Sequence, residues 1–429
     1  MPSSVVIALS ASLAILCYKL VNLIRYVRQA RTTGLPYVIT PVLETEVIGL
    51  IATPILRKAY NDYLNKDQGW PRWCRFMIKD WSWEDKRRAH DEYGDVFLCV
   101  SAEGIICYTA DAAMGWDVMN RRNDFTKPRD KYKILEPYGP NVATAEGATY
   151  RFHVRVTAPP FGDGTGSRKE AFNEDEVLGN LFIYLLAGYE TTANAISYGL
   201  ACLALHQDIQ DKVIEELDAV YASMEQSGLV ELSYGVHFEQ LRYMYGFMYE
   251  VLRLYPGVTL ITKVALRPQT VSVTVPSSST GTAATTTAHV LPAGTRVYMS
   301  APGVHYHPRY WKDPTRLDPH RWTDSIWSHN KHDGEEPAKR RILAADKTRH
   351  MRGTLLTFSD GARACLGRKF AQAEFMGFFA ALLRDYRIAL APEVDPIEVK
   401  RDLDRKSAGK ITLAPLNSVK LKLEKRQVD

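Results

Sequence analysis

The sequence predicts a mainly α-helical fold with small β-sheets, carried behind an N-terminal transmembrane helix. An almost uncharged opening run, a long apolar stretch that begins at a helix cap, and a few short strand-like runs point to it. "SSVVIALSASLAILCYKLVNLI", Ser3 to Ile24, contains one charge, Lys19. As a helix it would span roughly 33 Å, enough for a bilayer core. Lys19 lies near one end, where its stem can carry the ammonium to the interface. No basic residue precedes the run, whereas Arg25, Arg28 and Arg31 follow it. That order disfavours a cleaved signal peptide and places the rest of the chain on the cytosolic side.

The bulk composition excludes several classes. Hydrophobic content of 46% with 24% charge is ordinary for a globular chain and excludes disorder. A net charge of +5 is too mild to argue for nucleic acid. The six cysteines are scattered without Cys-x-x-Cys pairs, so neither a zinc ribbon nor a disulfide framework is indicated. The 429 residues suit one large helical domain or two smaller ones.

Residues 25–42 read as a basic, proline-containing linker: Gly34, Pro36 and Pro41 mark a stiff, non-helical link. Residues 43–429 form the folded part. "DVFLCV" and "GIICYTA", separated by "SAEG", predict a hairpin. Asn173, with Glu176 three residues on, predicts a capping box opening a long helix. Its centre, Val177 to Leu205, is apolar nearly all round, as in a second membrane span or the central helix of a large core. Glu190, Thr191, Thr192 and Asn194 in its middle disfavour the span. "FEQLRYMYGFMYEVLRLYP" predicts another helix, "SSSTGTAATTTAH" a low-complexity loop, residues 324–352 an exposed polar insertion, and "SVKLKLEK" a final strand.

The chemistry concentrates in "FSDGARACLGRKF". Cys365 stands between two glycines, next to basic residues, at the mouth of a helix. A soft thiolate is a good iron ligand, and as an axial ligand to heme it pushes electron density toward the metal. Helix-start N–H donors favour the thiolate. Gly361 permits the tight bend before the cysteine, and Gly367 lets a flat macrocycle approach the backbone. Arg363 can pair with a carboxylate on the ligand's rim, and Phe358 can cover the sulfur. A cysteine hydrolase would instead need a histidine set against Cys365, and would leave the motifs below unexplained.

This spacing, Phe-x-x-Gly-x-Arg-x-Cys-x-Gly, resembles the heme-binding signature of the cytochrome P450 monooxygenases, microsomal type. "AGYETT" resembles that family's oxygen-activation sequence, with Glu190 and Thr191 as the proton-handling pair. Glu250 and Arg253 are spaced to share one helix face. With Arg321 in "DPHRW" they are similar to the family's buried charge network behind the cysteine loop. The resemblance implies iron protoporphyrin (heme) as cofactor and insertion of one oxygen atom from O2 into a small apolar organic substrate. It further implies an electron-donating reductase docking beside Arg363, Arg368 and Lys369, and residence in the endoplasmic reticulum membrane. No nucleic acid partner is implied. His305 in "GVHYHPRYW" reads as a solvent-facing structural residue or a heme contact.

Two departures stand out. In "GATYRFHVRVTAPPF" the family's Trp-x-x-x-Arg pattern becomes Tyr150 and Val154, with His153 and Arg155 as adjacent substitutes. From Phe161 the chain then leads through "GDGTGSRKEAF" straight into the oxygen helix, so several central helices of the family, including the roof of its substrate pocket, have no counterpart near 161–173. A non-catalytic, truncated or mis-spliced remnant with impaired heme binding is therefore the alternative expectation.

Overall fold

The computed structural model describes residues 2–66, 72–159, 171–275, 285–327, 352–405, 407–409, 412–415 and 417–427. They fall into two compact units, residues 1–128 with 260–307 and residues 129–259 with 308–429.

The first unit is built on a six-stranded sheet. Its strands are β1 (Tyr37–Ile39), β2 (Val96–Ser101), β3 (Gly104–Thr109), β4 (Phe125–Thr126), β5 (Leu260–Ala265) and β8 (Arg296–Ser300). They lie in the order β1-β2-β3-β8-β5-β4. The expected hairpin is β2–β3, in antiparallel register from Val96↔Thr109 to Ser101↔Gly104. Both strands are buried almost throughout, which explains why they read as continuous apolar runs. Phe97 of β2 and Tyr108 of β3 share a core cluster with Phe76, Trp81 and Tyr298. A separate hairpin pairs β6 (Gln269–Val275) with β7 (Thr285–Leu291). Residues 285–289, expected as loop, are thus strand. Their β-branched threonines favour the ladder once β6 supplies a partner.

The N-terminal helix runs from Pro2 to Thr33, well past the 3–24 span, and ends where Gly34 adopts φ +73°. Arg25, Arg28 and Arg31 are good helix formers, so nothing before Gly34 stops the helix. The linker's Tyr37–Ile39 becomes β1, parallel to β2. Among the described residues, Val6–Thr33 is the one helix long and apolar enough to cross a membrane. Lys19, at its exposed flank, pairs with Glu103 of the β2–β3 turn at 2.9 Å.

His305, read as a solvent-facing structural residue or a heme contact, is wholly buried in the short helix Ala301–His305, which removes the first of these. Nearby, His90 is buried against the Phe97 ring and against Gly303. Burial, reinforced by the Arg87 charge, lowers the His90 pKa to about 4. Asp95 is held well below the carboxylate range: hydrogen bonds from His307 and Arg87 overcome the opposing desolvation. The unfolded chain protonates His90 near its ordinary value of 6.5 and the folded chain does not. Stability is therefore fully present above pH 6.5 and falls by about 3 kcal/mol as pH drops toward 4. His90→Leu is expected to flatten that part of a denaturation-midpoint versus pH curve. An unchanged slope would assign the loss to other groups.

The second unit carries the long helix Glu174–Leu205, the helix Gln207–Gln226, the charge-network helix Arg242–Leu254 and the cysteine helix Arg368–Asp385. Its strands are β9 (Tyr386–Leu390), β10 (Ser407–Gly409), β11 (Leu413–Pro415) and β12 (Leu421–Lys425), paired β9–β12 and β10–β11. The expected capping box is formed: Glu176 N–H donates to Asn173 Oδ1 at 2.9 Å, and Asn173 N–H to Glu176 Oε2 at 3.0 Å. The apolar centre of the long helix divides in two. From Ala195 onward it is largely core, and a Cβ on Gly199 would lie 2.8 Å from the Phe379 ring of the cysteine helix. Toward its N-terminus Leu181, Leu185 and Tyr189 are 54%, 72% and 80% exposed. Residues 161–170 and 328–351, where the shortened joint and most of the polar insertion fall, lie outside the described residues. Just beyond the joint, Phe172 packs edge-on against Phe152 and at a tilt against His153.

Candidate active site

Four segments of the second unit build the site. The cysteine loop comes first. Thr357 Oγ1 donates to Leu252 O at 3.1 Å, tying the loop's entry to the charge-network helix. Gly361, at φ +66°, makes the bend expected of it, and its N–H is capped by Asp360 Oδ1 at 2.7 Å. Cys365 N–H then closes onto Phe358 O at 2.7 Å. The cysteine helix starts just beyond, with Gly367 as its N-cap. Cys365 is exposed. Desolvation nonetheless raises its thiol pKa, against the Gly367 N–H and the Arg368 charge, which both favour the thiolate. Helix-start donors act in the expected sense but do not prevail alone. Space is open around the position of a Gly367 Cβ. The Phe358 ring meets Tyr249 edge-on at 6.3 Å.

Arg363 is nearly buried, and its Nη2 donates to Ala145 O at 2.9 Å and pairs with the Glu146 carboxylate. Its guanidinium carbon lies 3.2 Å from the centre of the Tyr150 ring. Arg363 Nη1 is buried without a hydrogen-bond partner. Tyr150 itself donates its hydroxyl to Ala362 O at 2.7 Å. His153 is buried against Asn180, Nδ1 to Nδ2 3.0 Å, and lies 3.5 Å from Glu176, while Arg155 is on the exposed face.

On the long helix, Thr191 Oγ1 donates back to Ala187 O at 2.7 Å. Such back-bonding loosens the helix locally. Gly188 beside it has open space where a Cβ would be. Glu190 is held rather than free: its Oε1 accepts from Thr412 N at 3.0 Å and Thr412 Oγ1 at 2.9 Å. Asn194 donates to the same hydroxyl at 2.9 Å. Thr412 gave no signal in the sequence, because its role is a contact across more than two hundred residues.

Behind the loop, the structure brings Glu250, Arg253 and Arg321 together. Arg253 Nε and Nη2 donate to the two Glu250 oxygens at 2.7 and 2.8 Å, both side chains wholly buried. Arg253 also donates to Pro314 O at 2.6 Å and Arg316 O at 2.9 Å. Glu250 further accepts from Trp322 Nε1 at 3.0 Å and Asp318 N at 2.8 Å, with Arg321 Nε at 3.5 Å. Sequence reasoning missed Gly246, on the same helix. A Cβ there would lie 2.4 Å from Pro319 O, backbone that cannot yield cheaply. Gly246→Ala is expected to destabilise the second unit by about 2 kcal/mol, the scale of core overpacking. A thermal-melt comparison with an unchanged midpoint would refute the contact.

Comparison with known proteins follows the same residues. The family model described as Cytochrome P450 matches residues 161–412. The chain is 42% identical to cytochrome P450 monooxygenase prx9 of Penicillium rubens over 570 residues, covering 96% of each chain. It matches cytochrome P450 monooxygenase ORF6 of Penicillium roqueforti to the same identity and coverage. Among solved structures, a zebra fish cytochrome P450 with progesterone superposes with TM-score 0.56 at 14% identity, over 79% of this chain and 98% of that one. A retinoic acid-bound cyanobacterial CYP120A1 gives TM-score 0.56 at 16% identity, over 79% and 93%. At such identities these two likenesses concern the fold.

Proposed function

The chain belongs to the cytochrome P450 family, and from that premise we propose that it is a heme-thiolate monooxygenase. It inserts one oxygen atom of O2 into a small apolar organic substrate, using electrons from a reductase. The observation that carries this reading is the cysteine loop, which presents an exposed sulfur beside a buried, unpaired arginine donor. These residues fit a heme. A soft ligand, an orphaned donor for a carboxylate on its rim, and glycines with open space at 188 and 367 are what a flat, anionic macrocycle needs.

When bound, heme would supply an iron that activates O2. The remaining tasks fall to the chain. Cys365 Sγ would hold the heme iron, Arg363 Nη1 would hold the rim carboxylate, and Phe358 flanks the loop. Thr191 Oγ1 relays a proton, handing over the one it places on Ala187 O. Glu190, held through Oε1 by Thr412, would take a proton from solvent and pass it to the Thr191 hydroxyl, returning to the carboxylate. Glu250, Arg253 and Arg321 fix the loop's support. Arg368 and Lys369 are exposed and suit an acidic electron donor. The helix from Pro2, with its basic C-terminal flank, anchors the protein in the endoplasmic reticulum membrane with the heme-binding part in the cytosol.

A second reading, a non-catalytic remnant shortened between the helix Gly147–Thr157 and the long helix, rests on specific observations. The alignment with prx9 runs over 570 residues, more than this chain's 429, so the relative carries segments with no counterpart here. Leu181, Leu185 and Tyr189 are exposed where a roof would bury them. Val154 removes a second arginine. The absorption spectrum of the expressed chain, reduced and exposed to carbon monoxide, separates the two. A strongly red-shifted Soret band supports the monooxygenase; folded protein that takes up no heme supports the remnant.

A further inference from the structure

We propose that Tyr150 is the positioning residue of the cysteine loop, so that what reads in the sequence as a lost tryptophan acts in this chain as a clamp. The inference rests on the reading of Cys365 as the heme ligand.

The loop's internal bonds fix its shape. Cys365 N–H to Phe358 O and Ala364 N–H to Gly361 O, 3.1 Å, close its turns, and Asp360 caps Gly361. Ser359, at φ +57°, sits in a conformation that costs a non-glycine residue free energy. A loop holding such a residue needs outside support to keep it there. At its entry Thr357 ties it to Leu252 O, and past its exit Gln372 Nε2 donates to Tyr249 OH at 2.6 Å. Both ties secure the ends.

The apex, Ala362 and Arg363, is held from the helix Gly147–Thr157 and the residues just before it. Tyr150 contributes twice. Its hydroxyl donates to Ala362 O at 2.7 Å, and its ring lies under the Arg363 guanidinium at 3.2 Å. A planar cation on an aromatic face is attracted to it and its plane is fixed. With the plane fixed, Nη2 is used on Ala145 O and Glu146, and Nη1 is left buried and unpaired. One side chain thus sets both the height of the apex and the direction of the free arginine donor, two residues before the sulfur. A tryptophan carries no hydroxyl at the end of its ring system and could not make the Ala362 bond in this form.

Hydrogen exchange of the full chain, without added heme, tests the clamp. Tyr150→Phe keeps the ring and removes one hydrogen bond, so amides of residues 358–367 are expected to exchange roughly fivefold to tenfold faster. Tyr150→Leu removes the ring as well and should accelerate them further. Amides of the helix Gln207–Gln226, in the same unit, that exchange by local fluctuation away from the loop should keep their wild-type rates in Tyr150→Phe. Unchanged loop exchange in both variants overturns the proposal. So does equal acceleration of those distant amides in Tyr150→Phe, since the tyrosine would then support the whole unit. Addition of hemin gives the spectroscopic arm: the Tyr150→Phe Soret band should be weaker and shifted from that of wild type. If wild type itself takes up no hemin, the heme reading fails while the exchange result still judges the clamp.

Discussion

Arg253→Ala is expected to remove about 3–5 kcal/mol from the stability of the second unit, the cost of stranding a buried charge. Glu250 and Arg253 have no exposed side-chain surface, and each guanidinium–carboxylate contact is a charge-assisted hydrogen bond. With the arginine gone, the Glu250 carboxylate keeps Trp322 Nε1 and the Asp318 N–H but loses its closest cation, leaving Arg321 at 3.5 Å. The carbonyls of Pro314 and Arg316 lose their donors at the same time. A folded domain has only about 5–15 kcal/mol to lose. Arg253→Lys should recover little, because a point charge cannot serve two carboxylate oxygens and two carbonyls in one plane. Replacing both partners, Glu250→Gln with Arg253→Met, should cost less than Arg253→Ala alone. Denaturant titration of the three variants checks this ordering; a loss under 1 kcal/mol for Arg253→Ala would show that the network is not needed for stability.

Cys365→Ala has the opposite profile: little effect on folding and complete loss of the thiolate-type spectrum. The side chain is exposed, and the loop's turns are made by backbone atoms that alanine also has. Changes at such surface sites usually stay within about 0.5 kcal/mol. Any heme still bound would be held by Arg363 and apolar contact, without a sulfur ligand, so the red-shifted reduced–carbon monoxide band should vanish. Persistence of that band would place the ligand elsewhere and remove the basis of the monooxygenase reading. A paired gain-of-function variant follows from the same geometry. Val154→Arg should raise heme retention if the rim carboxylates are short of cations, measured as slower heme transfer to an acceptor protein.

Much of this was legible in the sequence because it is local. The Asn173–Glu176 box, the β2–β3 hairpin, the bend at Gly361 and the pairing of Glu250 with Arg253 each involve residues within a few positions of one another. Backbone preference and side-chain reach decide such features without help from the rest of the fold. Where the local reading erred, a distant partner had intervened. Residues 285–289 became strand because β6 was there to pair with them, and His305 was buried by its surroundings rather than left at the surface.

What only the tertiary structure decided is the use to which isolated polar groups are put. The sequence by itself determined that Cys365, Arg363 and their glycines match the spacing of the family's signature, and that Tyr150 and Val154 depart from its pattern. It contained nothing to say that Tyr150 reaches Ala362, that Thr412 holds Glu190, or that Gly246 must stay small beneath Pro319 O. Each of these is a contact across at least seventy residues, set by where packed helices bring their surfaces together. A hydrogen bond or a van der Waals limit acts over a few ångströms in space, whatever the distance along the chain.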